Sequence, residues 1–100
     1  MKINIGKQNY LVAMRKCGYK PWRNPKTGEQ SFIRRTGAGF YPRFHCLMFR
    51  DHDANVIADV HFDKIRPMHK KGVRSYEDFE SPVVQEEAAR IAKLARGTVL

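Results

Sequence analysis

The chain has 100 residues and sets 19 Lys and Arg against 10 Asp and Glu, a formal charge of +9 at pH 7. At 42% hydrophobic and 11% aromatic residues it can fill one modest core, which excludes a wholly disordered chain and makes a single domain over 1–100 the expectation. No apolar run nears the ~20 residues of a membrane span, and the opening MKINIGKQNY has no apolar signal stretch, so a cytoplasmic protein without membrane contact is expected.

In chain order, the spacing first predicts a helix over about 6–17. Tyr10, Leu11, Met14 and Cys17 recur at intervals of three and four, Arg15 and Lys16 suit a helix C-terminus, and Gly18 suits the residue that ends it. The segment from Lys20 to Gly28 holds two prolines and a glycine and reads as a loop. A short strand follows over about 30–36. Residues 41–50 and 56–63 are rich in strand-forming types and flank a polar five-residue link, as in a β-hairpin. Residues 64–80 show no period and read as an irregular connection. A last helix over about 82–96 is marked by Ser81 and Pro82 at its start, with Val84, Ala88, Ile91 and Ala95 as its apolar stripe. Glu86 is placed to pair with Arg90 one turn on.

These elements predict an α+β, two-layer domain: a helix, a three-stranded antiparallel sheet, then a helix. That order is shared with the double-stranded-RNA-binding fold and with small HicA-like toxin ribonucleases, a topological likeness that carries no function by itself.

The hairpin register follows from its apolar pattern. If Arg50 opposes Val56, then Phe44, Cys46 and Met48 share a core face with Val56, Ala58, Val60 and Phe62. The other face then sets Arg43 opposite Asp63, His45 opposite His61, Leu47 opposite Asp59 and Phe49 opposite Ile57. Opposed side chains interact. His45 and His61 are therefore candidate acid–base catalysts for phosphodiester cleavage, with Asp59 and Asp63 fixing their tautomers and Arg43 on the phosphate. The same atoms can make a divalent metal site, and an ordinary polar face needs neither. Cys17 and Cys46 lack metal-ligand spacing and read as buried hydrophobes, so no metal and no cofactor is expected from them. Phe49, Ile57 and Leu47 would form an apolar patch, the expected contact of a homodimer through the open sheet face.

The charge is lopsided. Residues 1–50 hold eleven bases and one acid, Glu29, whereas residues 51–100 hold eight bases and nine acids. A half-chain at +10 makes RNA or another polyanion the first partner to expect, through Lys20, Trp22, Arg23, Lys26, Arg34, Arg35 and Arg43. Trp22 among cations suits stacking on a base, and Lys70, Lys71 and Arg74 would extend the basic surface. Gly37-Ala38-Gly39 reads as a turn, since no phosphate-loop pattern surrounds it.

The runs GYKPWRNPKTGEQSFIRR (18–35), FYPRFH (40–45), HFDKIRP (61–67) and SPVVQEEAARI (81–91) together resemble a family of short basic proteins of candidate-phylum bacteria. The resemblance implies a compact domain and assigns no biochemistry. Where relatives carry further histidines after the second strand motif, this chain has Val73 to Glu77, so a multi-histidine metal site is not implied.

Overall fold

The computed structural model describes residues 1–64 and 77–100; Lys70, Lys71, Arg74 and most of the expected irregular connection lie outside the described residues. The described elements are β1 (Lys2–Asn4), α1 (Tyr10–Lys16), β2 (Lys20–Arg23), β3 (Gln30–Arg35), β4 (Arg43–Arg50), β5 (Val56–Asp63), β6 (Glu77–Asp78), α2 (Pro82–Ala95) and β7 (Thr98–Val99). Six strands lie side by side in the order β2-β3-β4-β5-β1-β7, all antiparallel, and β6 pairs with the far end of β5. The expected helix–three-stranded sheet–helix of the double-stranded-RNA-binding order is thereby overturned. The sheet is twice as wide, and the chain enters it through a strand rather than a helix.

Each unforeseen strand has a local reason. β1 is three residues long, so the alternation of Lys2 and Asn4 with fully buried Ile3 is too brief to stand out. β7 is shorter still. β2 contains Pro21, which argues against a strand inside a sheet but is tolerated at a margin, where a missing N–H costs no ladder bond. The segment read as a loop is therefore a marginal strand, Lys20–Arg23, plus a tight turn around Asn24–Gly28, where Gly28 takes a φ of +74°.

β4 and β5 pair in the register that sets Arg50 opposite Val56, and Cys46, Val56, Ala58 and Val60 are essentially inaccessible. Ile3 and Ile5 extend this core face from the β1 end. Both helices contribute to the same core. In α1 the buried positions are Ala13 and Met14, followed by Cys17, whereas Leu11 is 41% exposed. Asn9 caps the helix by accepting from Leu11 N and Val12 N, which sets a start at Tyr10 and turns Tyr10, Ala13, Met14 and Cys17 inward. In α2, Val84, Ala88, Ile91 and Ala95 are buried; Ser81 occupies the N-cap position without a side-chain capping bond. Both cysteines are free and buried, and burial pushes their thiols up, away from the thiolate a metal would take.

Arg90 pairs with Glu87 rather than with Glu86. Glu87 is 3% exposed and lies among the apolar positions of α2. Its carboxylate accepts from Arg34 Nε and Nη2 at 3.1 and 3.0 Å, from Arg90 Nε at 2.7 Å, and from the Tyr19 hydroxyl. Arg90 also donates to the carbonyl of Cys17. Burial by itself would raise the Glu87 pKa, but the hydrogen bonds from Arg90, Arg34 and Tyr19 outweigh it and hold the carboxyl below its usual range.

A carboxyl with a depressed folded pKa adds stability that is complete above its unfolded value and is lost as pH falls through the folded one. Urea midpoints should therefore drop as the pH is taken below 4.5. Glu87→Gln should cost about 3–5 kcal/mol at pH 7, by leaving two guanidinium groups over one neutral amide, and should flatten that acid dependence. At Gly97 an added Cβ would sit 2.6 Å from the Asn4 carbonyl oxygen, whereas at Gly37 it would meet nothing within 4 Å. Gly97→Ala should thus lower stability by ~1–3 kcal/mol in the same assay, with Gly37→Ala near neutral.

Candidate functional site

On the face of β4 and β5 that points away from Cys46 and Val60, Arg43 opposes Asp63 and His45 opposes His61. Strand geometry alone puts these four side chains in a square. Arg43 Nε donates to Asp63 Oδ2 at 2.9 Å, His61 Nε2 stands 3.1 Å from Asp63 Oδ1, and His45 Nδ1 stands 3.0 Å from His61 Nε2. The other nitrogen of His45, Nε2, reaches Ser31 Oγ at 2.7 Å. Arg43, His61 and Asp63 are 3%, 6% and 3% exposed, so this is a buried polar cluster on the outer sheet face.

Aromatic side chains exclude water from it. The Arg43 guanidinium lies 4.4 Å from the ring centres of Trp22 and Phe40 and 4.6 Å from that of Tyr41. A desolvated cation among rings is held by ~2 kcal/mol or more per good contact. Trp22 also turns its plane edge-on to His45, and Phe79 covers His61. Trp22 is therefore half-buried against Arg43 rather than standing free.

Charge states follow from these contacts. Burial lowers the His45 pKa to about 4, His61 and Arg43 push it the same way, and Asp63 only partly offsets them. His45 is thus neutral at pH 7. Burial would raise Asp63, but the hydrogen bonds from His61 and Arg43 win and keep it an anion. Even so, Asp63 Oδ1 and Arg43 Nη1 have no aligned hydrogen-bond partner among the described residues, although His61 is in ion-pair range of that oxygen.

Of the residues expected to act together, His45, His61, Asp63 and Arg43 converge. Asp59 does not join them; its carboxylate takes the Met1 amino group at 3.2 Å. The histidine nitrogens touch, leaving no width for a phosphate between an acid and a base, and Arg43 is consumed by Asp63. Arg34 is likewise consumed, by Glu87, on the helix side of the sheet. Lys20, Arg23, Lys26 and Arg35 remain exposed, with no carboxylate in ion-pair range among the described residues. The apolar patch expected on the open face shrinks: Ile57 is 3% exposed and Leu47 half-buried, leaving Phe49 at 43%, under Lys2.

Four participants were not picked out from the sequence. Ser31 lies two residues before Ile33 on the face that carries His45, so strand parity could have found it. Glu87 sits three residues after Val84 and four before Ile91, on the buried stripe, which marks it as an inward acid. Phe40 and Tyr41 lie outside any strand, and no periodicity points to them. No protein-family model matches the chain, and neither a curated protein nor a solved structure does.

In an NMR pH series, the His45 ring should titrate near pH 4, and a midpoint near the ordinary ~6.5 would contradict its burial. The sign for stability is fixed by the same shift. A histidine held neutral adds stability that is complete above ~6.5 and is lost as pH falls toward the folded value.

Proposed function

We propose that the protein binds a single-stranded nucleic acid, RNA in the first instance, along the margin formed by β2 and β3. The observation that supports this reading is the set of cations left unpaired there. Lys20 opposes Ile33 on the outer face, and Arg35 follows two residues along the same strand face. With Gly18, Gly37 and Phe40 they bound an open groove of about 510 Å³. Phe40 is 39% exposed at one end of it and offers a surface on which an unpaired base can stack. Arg23 donates one Nη1 bond to the Gly28 carbonyl and has no other side-chain bond among the described residues, and Lys26 projects from the adjoining turn.

The reading differs in its residues from one based on charge alone. Arg43 belongs to a buried ion pair and contributes no phosphate contact, and Arg34, which also lines the groove, is paired with Glu87. Trp22 acts indirectly, by holding Phe40 and Arg43 in place. Cleavage by a free histidine pair is disfavoured by the 3.0 Å contact between the rings.

Fluorescence anisotropy with a short labelled RNA should show affinity falling with salt, at a log–log slope of about −3 for four neutralised phosphates on a single strand. Lys20→Ala and Arg35→Ala should each make the slope shallower by roughly 0.7 and weaken binding without changing thermal stability. Absence of binding to single- or double-stranded RNA or DNA at low salt would overturn the proposal, as would an unchanged slope in the double variant.

A further inference from the structure

His45 Nδ1, His61 Nε2 and a carboxylate oxygen of Asp63 all lie within 4.8 Å of one another. We propose that these three atoms form a binding site for one divalent transition-metal ion of the zinc class. None of the three is a residue of the nucleic-acid margin.

Four features carry it. The first is distance. Two imidazole nitrogens each ~2.0–2.1 Å from one zinc ion, at 90–110° to each other, stand about 3–3.4 Å apart. The observed 3.0 Å between the nitrogens and 3.1 Å from His61 Nε2 to Asp63 Oδ1 match that span. The second is donor chemistry. Two imidazole nitrogens and a carboxylate oxygen, gathered within 4.8 Å, are donor types that such an ion takes.

The third is orientation by outer groups. His45 Nε2 bonds Ser31 Oγ at 2.7 Å, which leaves Nδ1 as the nitrogen turned toward His61. Arg43 holds the other oxygen of Asp63 at 2.9 Å. Ligand histidines and carboxylates in metal sites are held in this way. The fourth is Asp63 Oδ1, a buried carboxylate oxygen to which the neighbouring His61 Nε2, at 3.1 Å, is poorly aligned. Burying such an oxygen costs free energy that a cation would recover.

The donor set selects the class of ion. Two imidazoles and one carboxylate suit zinc, cobalt, nickel or ferrous iron, whereas magnesium and calcium take all-oxygen sites. Three protein ligands are the number found where a metal keeps an open position.

The test uses the full chain, stripped with a chelator and titrated with Zn2+ by calorimetry and with Co2+ by visible absorbance. We expect one ion per chain, bound at micromolar affinity or tighter, with d–d bands of low-symmetry cobalt. His45→Ala and His61→Ala should each weaken binding by ~100-fold or more, and Ser31→Ala, which removes only the orienting bond, by about 10-fold. His52→Ala, altering an exposed histidine of the β4–β5 turn, should leave affinity unchanged. If a ligand variant fails to fold, the wild-type chain decides: Co2+ must shift the NMR ring signals of His45 and His61 and spare those of His52. Weaker than ~100 µM binding (about −5.5 kcal/mol), stoichiometry unaffected by His45→Ala, or cobalt shifts centred on His52 would each overturn the site.

Discussion

One carboxylate governs how the helices sit on the sheet. Glu87 is buried between the guanidinium groups of Arg34 and Arg90 and beneath the Tyr19 hydroxyl. Through it α2 is tied to β3, and through Arg90 to the last turn of α1 at Cys17. Any sliding of α2 would leave the buried Glu87 carboxylate without its partners, a penalty of several kcal/mol. Apolar packing by Val84, Ala88 and Ile91 tolerates small shifts of register far better, since dispersion contacts are many and individually weak. The ion network is what selects a single placement.

A second buried pair, Arg43 with Asp63, repeats the arrangement on the opposite sheet face. In both pairs a cation from the basic half of the chain meets an acid from the near-neutral half. Part of the lopsided charge is thus used internally, to join residues 20 and 53 positions apart. Of what remains for solvent, Lys20, Arg23, Lys26 and Arg35 lie along the β2–β3 margin. The two outer-face features, a basic groove and a histidine–aspartate cluster, adjoin each other because β3 carries Ser31 and Ile33 next to the histidine strand.

Much of the hairpin was legible in the sequence, because one register of the two eight-residue strands gathers Phe44, Cys46, Val56, Ala58 and Val60 on a single buried face. That register brings His45 and His61 together without further information. The fold class was not legible, since β1, β2 and β7 are two to four residues long and owe their strand geometry to neighbours rather than to their own pattern. Pro21 misled for a definite reason: its effect depends on whether the strand is interior, which is a tertiary fact. That Arg43 is buried was not legible for a similar reason. Whether an arginine faces water or an acid depends on a partner distant in sequence, and strand parity gives its side of the sheet but not its counterion.

The margins of this sheet also bear on how copies of the chain meet. An exposed strand margin is a template onto which another molecule can add a strand, and repeated addition gives a fibre. At one margin Pro21 removes an outward donor, and Lys20 and Arg23 on either side of it would face their own like charges in a second copy. The sheet is therefore self-limiting at its β2 margin, where crowding this chain brings repulsion rather than growth of a continuous ribbon.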